Sequence, residues 1–273
     1  MRRDWTKRGG GPWSRQAHGS YRGSFMTTSP IWLDASTATW LECRDYLESS
    51  PFAVLPLGAT EQHGPHLPQN TDTVIAEALA MAVAKVCGGL VLPSMPIGYS
   101  WVWRDYPGSL THSFDTFRAM VKDIARSMDR NGCKALMLIS GHGANPEPLK
   151  YTIRELADEM EMALLRVFYP GLGEVMSDAE SPQWQPGNFH AEEFETSMML
   201  HLRPDLVRMN LAVSEYPGKS TNQEMSTIPM GALTKSGVFG NATVATAEKG
   251  RKWFLACTEK VAEIWRDFIA EHG

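Results

Sequence analysis

The stretch FAVLPLGATEQHGPHLPQNTDTVIAEALAMAVAKV (residues 52–86) contains a complete strand–loop–helix unit. Residues 52–58 form a short apolar run typical of a buried strand, and residues 72–86 have the character of a helix closed by Gly88 and Gly89. The prolines and glycines between them exclude regular structure. This unit predicts the start of an α/β fold.

The same alternation continues along the chain. Three further apolar runs predict strands: residues 89–97, 134–140 and 163–169. Three stretches have helical periodicity: residues 114–130, 147–160 and 247–271. Strands that alternate with helices predict βαβ units with right-handed crossovers. We therefore expect a single-domain α-β-α sandwich with a mostly parallel central sheet.

Composition narrows the classes of function. Of 273 residues, 43% are hydrophobic and 21% charged, as in globular proteins, and no apolar run has the length of a membrane span. The net charge of -5 argues against a nucleic-acid partner, so we expect a small-molecule substrate. The four cysteines lack CxxC spacing, which indicates free thiols in a reducing, cytoplasmic compartment.

The first residues differ from the rest of the chain. Residues 1–25 carry six Lys and Arg residues and five glycines, without the apolar core of a signal peptide. They predict a disordered basic N-terminal extension before a domain of residues 26–273. Two interpretations remain open for it: a basic interaction tail, or an unstructured extension with Met26 as the alternative initiator.

Side chains that bind divalent metals follow the predicted strands. Glu61 and His63 leave the first strand, Asp72 opens the next helix, and His142 follows the third strand between two glycines. Ligands of parallel α/β sheets lie beyond the carboxyl ends of the strands, so these groups are expected in one cleft. A further segment adds four candidates: His190, Glu192, Glu193 and Glu195. Carboxylates and imidazoles without thiolates suit Zn²⁺ or Mn²⁺.

Each of these residues alone has a simpler explanation. A loop histidine is more often a surface or hydrogen-bonded residue than a ligand, and we give His66, His112 and His201 no metal role. Only the combination of the candidate residues at predicted strand ends favours a metal site.

Four motifs resemble the creatininase (creatinine amidohydrolase) family. They are LPLGATEQHGPHLPQNTDT (55–73), YPGSLTHS (106–113), SGHGAN (140–145) and HAEEFETS (190–197), so the resemblance covers roughly residues 30 to 270. It implies a compact α-β-α layered fold, assembly as a homo-oligomer, namely a hexamer, and two divalent ions per chain, usually Zn²⁺ or Mn²⁺.

The resemblance also implies which residues hold the ions. Glu61, Asp72 and His142 would hold one ion, and His63 with the bridging Asp72 would hold the other.

The second ion needs a further carboxylate. Creatininase has a glutamate two residues after the position of His142, whereas this chain has Ala144. Relatives with a similar departure carry an extra glutamate in the HAEEFETS region. We expect Glu193 to supply the missing ligand, with Glu195 as the reserve.

The resemblance gives His190 the role of the residue that protonates the leaving nitrogen. The acidic partners that precede this histidine in creatininase are missing, because the chain has QPGNFH at residues 185–190. The implied reaction is attack of metal-activated hydroxide on a small cyclic amide, with proton donation by His190 as the C–N bond opens.

Residues 98–113 are expected to form part of the substrate pocket. A serine at the position of Ser100 contacts the substrate in creatininase. The Glu-His pair usual in the family is replaced by Val102 and Trp103. Tryptophans in loops near a cleft form flat walls for planar ligands, so we include Trp103 and Trp184 among the substrate-binding candidates.

The same loop suggests a specificity. Arg104 and Asp105 are expected to bind hydroxyl or carboxylate groups, which favours an oxygen-rich ring over creatinine. The alternative is that Trp103 packs at a subunit contact and that residues 170–188 determine specificity.

Three functions fit these expectations. The first is a dinuclear-metal hydrolase of a small cyclic amide. The second uses the same metal site on another bond, as in relatives that hydrolyse an inositol-derived cyclic ketone, remove a formyl group or process a peptide. The third is a non-catalytic metal- or ligand-binding module, against which the presence of His190 argues.

Overall fold

The computed structural model describes residues 31–182, 189–218 and 226–272, so the predicted extension at residues 1–25 lies outside it. A central sheet of five parallel strands has the order β1-β3-β2-β4-β5. The strands are β1 Trp32–Asp34, β2 Phe52–Leu57, β3 Gly89–Val91, β4 Ala135–Ser140 and β5 Ala163–Val167. The predicted parallel sheet is confirmed.

Helices connect and cover these strands. They are α1 Trp40–Ser49, α2 Thr71–Cys87, α3 Phe114–Arg130, α4 Pro146–Ala157, α5 Leu172–Val175, α6 Glu193–Leu202 and α7 Ala247–His272. A short antiparallel pair, β6 Ser214–Glu215 and β7 Gly240–Asn241, lies outside the main sheet. None of the helices in the described part of the chain combines the length and apolar character needed to span a bilayer.

The sequence did not predict β1 or α1. Strand β1 has only three residues, which is too short for a periodic signal. Helix α1 is mostly polar, although the capping box of Thr39 and Glu42 marks its start. Strand β3 is shorter than predicted, because Pro93 and Pro96 follow it and proline cannot donate to a ladder.

The core lies on both faces of the sheet. Along β4, Met137 and Ile139 belong to a cluster with α2, α6 and α7. The alternate residues Leu136 and Leu138 belong to a cluster with α1, α3 and α4. Side chains of a strand point alternately to opposite faces, so one apolar run fills two helix–sheet interfaces. The architecture is an α-β-α sandwich.

The strand order places a topological switch point between β2 and β4. After β2 the chain adds β3 on one side, and after β3 it crosses to add β4 on the other side. Leu57 and Ser140, the last residues of β2 and β4, are paired in register. The loops that leave these two strands therefore separate and open a crevice at the carboxyl edge of the sheet.

The first turn of α2 packs against the loop that leaves β4. A Cβ atom at Gly141 would lie 2.1 Å from the carbonyl oxygen of Asp72, a backbone atom that a side-chain rotation cannot move. A Cβ at Gly143 would make only an ordinary contact of 3.7 Å with Phe168 Cζ. Glycine at position 141 is therefore required by the approach of two backbone segments.

Gly141→Ala is expected to lower the free energy of unfolding by about 1–3 kcal/mol, the usual cost of overpacking. Its matched control, Gly143→Ala, is expected to stay within about 0.5 kcal/mol of the wild type, as surface substitutions do. Urea unfolding of the three proteins measures both values. Equal stability of the two variants would contradict the proposed backbone approach.

Candidate metal centre

Acidic and imidazole side chains meet in the crevice between β2 and β4. His63 Nε2 lies 3.1 Å from Asp72 Oδ1. His142 Nδ1 lies 3.1 Å from Glu61 Oε1 and 3.2 Å from Asp72 Oδ2. All four side chains are buried. The fold thus brings together the four candidates that the sequence placed at the ends of two different strands.

Backbone carbonyls hold the outer nitrogen of each histidine at the site. His63 Nδ1 lies 3.1 Å from the Glu61 carbonyl oxygen, and His142 Nε2 lies 3.1 Å from that of Tyr99. His190 Nε2 lies 2.7 Å from the Gln62 carbonyl oxygen. A carbonyl oxygen only accepts hydrogen bonds, so each of these nitrogens carries the proton of the neutral ring.

The inner nitrogens of His63 and His142 are then unprotonated in the neutral rings, yet they face carboxylate oxygens. Two acceptors at this distance repel each other unless a proton or a metal cation lies between them. Both carboxylate oxygens of Glu61 and Oδ2 of Asp72 are also buried without a hydrogen-bond partner. The backbone carbonyls orient the imidazoles, and the carboxylates lack hydrogen-bond donors. These two features together fit a divalent cation.

The pKa shifts of His63 and His142 also show that the carboxylates at this site favour a nearby positive charge. Burial alone would lower the pKa of His63, but Asp72, Glu195 and Glu61 raise it to about 10. Burial likewise opposes protonation of His142, and Glu61 and Asp72 raise its pKa well above the usual value. A field strong enough to keep protons on two buried imidazoles also attracts a divalent ion.

Three overlapping groups bring their donor atoms within 4.8 Å of one another. The groups are Glu61–Asp72–His142, His63–Asp72–Glu195 and Glu61–His63–His190. Asp72 belongs to the first two. Burial alone would raise the pKa of its carboxyl, but His63 and His142 bring that pKa far below the usual range. A carboxylate shared in this way is placed to bridge two ions.

The structure does not bring Glu193 to these groups, which corrects the expectation that chose it. Its carboxylate accepts hydrogen bonds from Lys249 Nζ at 2.5 Å and from the backbone N–H of Ser181 at 2.6 Å. Glu195 Oε2 instead lies 3.8 Å from His63 Nε2 and accepts a hydrogen bond from Ala191 N–H. Both glutamates lie in α6, where residues two apart point in directions roughly 200° apart.

His190 lies beside the same groups and contacts two other rings. Its ring stacks on Trp103, with ring centroids 4.1 Å apart, and contacts His63 at 4.4 Å. Its Nδ1 lies 3.8 Å from Glu61 Oε1. Burial, and then the charge of His63, lowers the pKa of His190 well below its usual value. The ring is therefore neutral, with an unprotonated Nδ1 directed toward the carboxylates.

A cavity of about 480 Å³ opens above this centre. Its floor is polar and contains Glu61, His142, His190 and Glu195. Its walls are mainly aromatic and aliphatic, and include Tyr99, Trp101, Trp103, Phe168, Phe189 and Ile228. Apolar walls above a few convergent polar groups are typical of a small-molecule site.

The predicted substrate-binding residues differ in their position relative to the cavity. Trp103 borders the cavity. Ser100 is fully buried outside the cavity lining, and its Oγ has no hydrogen-bond partner in the structure. Trp184 lies outside the described residues.

Arg104 does not line the cavity, contrary to expectation. Its guanidinium lies over the Trp101 ring, 4.0 Å from the centroid, and donates a hydrogen bond to the Trp101 carbonyl oxygen. The Asp105 side chain is 71% exposed and is likewise outside the lining. From these positions neither Arg104 nor Asp105 favours an oxygen-rich ring in the cavity.

Sequence reasoning missed two aromatic wall residues. Phe168 follows β5, whose carboxyl end opens at the same edge of the sheet as those of β2 and β4. Phe189 directly precedes His190. Their positions next to a strand end and a candidate site residue were signals available in the sequence.

Comparisons with known proteins agree with this geometry. A family model described as creatininase, creatinine amidohydrolase, matches residues 36–265. The chain is 28% identical over 236 residues to creatinine amidohydrolase of Pseudomonas putida, covering 78% of this chain and 88% of that protein. It is 31% identical over 229 residues to mycofactocin precursor peptide peptidase of Mycobacterium ulcerans (strain Agy99), covering 78% and 85%.

Solved structures of creatininase also resemble the fold of this protein. A structure described as creatininase Mn superposes with a TM-score of 0.74 at 28% identity, and the match covers 86% of this chain and 98% of that one. The family model spans most of the chain, including both strand-end loops and α6. The protein belongs to the creatininase family.

Proposed function

We propose that this protein is a dinuclear, divalent-metal-dependent hydrolase that opens the C–N bond of a small cyclic amide. One observation carries the proposal: buried imidazoles, each with its outer nitrogen on a backbone carbonyl, direct their inner nitrogens at buried carboxylates on the floor of an apolar cavity. Several of those carboxylate oxygens have no hydrogen-bond donor among the described residues, and a divalent cation would satisfy them.

The chain offers two overlapping ligand sets. Glu61, Asp72 and His142 would hold one ion, and His63, Asp72 and Glu195 the other. Zn²⁺ and Mn²⁺ both suit mixed imidazole and carboxylate ligands. Divalent ions at such a site lower the pKa of water to near neutrality and polarise a carbonyl group.

We assign to His190 the transfer of a proton. The Gln62 carbonyl fixes the hydrogen on Nε2, so Nδ1 is the free acceptor, and it faces the carboxylates. Nδ1 would accept the proton of the attacking water and then donate it to the departing nitrogen. The hydroxyl group of the water remains on the carbonyl carbon as the C–N bond breaks. The products are an amine and a carboxylic acid, which releases its remaining proton to the solvent and becomes a carboxylate, and the histidine returns to its neutral form.

The cavity walls favour a planar substrate. Aromatic side chains border it, and no lysine or arginine is among the described residues of its lining. Flat rings contact such walls over a large apolar area.

A peptide is the second candidate substrate. The relative from Mycobacterium ulcerans is named as a peptidase, and it is 31% identical to this chain. Cleavage of a peptide C–N bond uses the same balance of water and protons.

One experiment tests the proposal. Metal content is measured on the purified protein, which is then assayed with small cyclic amides, cyclic imides, cyclic ketones and short peptides, before and after treatment with a chelator. Metal-dependent opening of a cyclic amide supports the proposal, and cleavage of peptides alone supports the second candidate. Metal binding without turnover of any of these substrates would leave a binding module and contradict both candidates.

A set of carboxylate variants tests the ligand assignment. Asp72→Ala is expected to lose both ions, because Asp72 belongs to both ligand sets. Glu195→Gln is expected to lose one ion. Glu193→Gln is the matched control on the same helix and should keep both, since its carboxylate pairs with Lys249. Elemental analysis of the dialysed proteins gives the three counts.

Glu193→Gln is also expected to change the stability of the protein. Removing the charge of Glu193 leaves Lys249 without its buried partner, so Glu193→Gln should be less stable than the wild type. Loss of an ion from this variant with full occupancy in Glu195→Gln would restore the original choice of Glu193.

His190→Gln is expected to keep both ions and to lower kcat on the substrate found above by on the order of a hundredfold or more, the usual contribution of an acid–base group. Steady-state kinetics and metal content are measured on the same preparation. Because His190 also lies in one group of candidate ligands, loss of an ion together with activity would instead make it a ligand.

A further inference from the structure

The indole of Trp103 lies almost parallel to the imidazole of His190. Their ring centroids are 4.1 Å apart and the interplanar angle is 24°. Although Trp103 borders the cavity, only 2% of its surface is exposed. Nearly all of the residue is therefore covered by protein, and little of it remains for contact with a substrate.

A small apolar cluster fixes the indole. Phe239 and Tyr106 contact Trp103 edge-on at 5.9 Å and 6.1 Å. At Gly231, on a neighbouring turn, an added Cβ would lie 3.3 Å from Trp103 Cε3. This cluster, formed around Trp103 and Phe239, is separate from the two clusters that cover the sheet. The only histidine ring stacked on it in the described part of the chain is that of His190.

The same cluster holds the backbone of His190. The N–H of Phe239 donates a hydrogen bond of 2.9 Å to the His190 carbonyl oxygen. With the backbone fixed, the imidazole can still change its direction by rotation about its side-chain bonds. Trp103 stacks on the ring and His63 contacts it at a tilt of 37°, and these two contacts oppose that rotation.

We propose that Trp103 is a positioning residue, whose stacked indole holds the His190 ring with Nε2 on the Gln62 carbonyl and Nδ1 toward the metal-binding carboxylates. The catalytic value of this contact rests on the proposed proton transfer by His190, but the ring orientation does not. The assignment replaces the expected role of Trp103 as a flat wall for the substrate.

The orientation is measured without any substrate. Zn²⁺-loaded protein is labelled with ¹⁵N and ¹³C in its histidine rings, and His190→Gln identifies the His190 signals. In the wild type, a proton on Nε2, a bare Nδ1 and an upfield ring-current shift of the ring protons are expected. Absence of the ring-current shift from the wild-type spectrum would overturn the proposal directly.

Two substitutions separate stacking from simple packing. Trp103→Leu keeps an apolar side chain but removes the ring, and it should lose the upfield shift and the single Nε2–H tautomer. Trp103→Phe restores a ring and should recover the tautomer with a smaller shift. Val102→Ala, in the same cluster and on the same cavity wall, should leave the His190 signals unchanged.

Turnover adds a second measurement. On the substrate of the proposed reaction, Trp103→Leu should lower kcat by about ten- to a hundredfold with little change in KM, as misplacement of a catalytic group does. A raised KM with unchanged kcat would show a wall for the substrate and overturn the positioning role. An unaltered His190 spectrum in Trp103→Leu would overturn it even if the enzyme hydrolysed no tested substrate.

Discussion

The close seating of the first turn of α2 between two glycines places Asp72 between the groups that leave β2 and those that leave β4. A Cβ at Gly58 would lie 2.1 Å from Thr73 Oγ1, and one at Gly141 would lie 2.1 Å from the Asp72 carbonyl oxygen. Because Gly58 follows β2 and Gly141 follows β4, the turn enters the switch point itself. Asp72 can then reach His63 on one side and His142 on the other.

This seating has an electrostatic cost that, among the protein groups, His63 and His142 offset only when they are protonated. Glu61 and Asp72 are buried side by side, with three of their four carboxylate oxygens lacking a hydrogen-bond partner. Burial of unpaired charge is among the largest penalties in a folded protein. The positive end of the α2 dipole supports Asp72 only in part, at about 1 kcal/mol. Cations bound at these candidate ligands would offset that cost, so we expect metal binding and local stability to be coupled.

Sequence reasoning succeeded where local pattern determines the outcome. Apolar runs predicted four of the five strands of the sheet, and the loops after two of them contain Glu61, His63 and His142, which the fold brings together. Their role as metal ligands stays a prediction. The choice between Glu193 and Glu195 failed, because it depends on where α6 begins and hence on which way each residue faces. Arg104 failed for a related reason, since its guanidinium has an alternative partner in the adjacent Trp101 ring. Residue type alone does not determine which glutamate of α6 faces the centre, nor which partner the Arg104 guanidinium takes.

The contact between Trp103 and His190 illustrates what single-sequence reasoning cannot reach. The two residues are far apart in the chain, and neither carries a local signal of the other. The replacement of the usual Glu-His pair by Val102 and Trp103 was visible, and it suggested a change in the substrate pocket. In the fold, the indole turns away from solvent and toward the imidazole, because Phe239 and Tyr106 occupy its remaining sides. A substitution that looks like a change of specificity thus alters the surroundings of His190, and an apolar neighbour that excludes water strengthens the electrostatic interactions of the groups beside it.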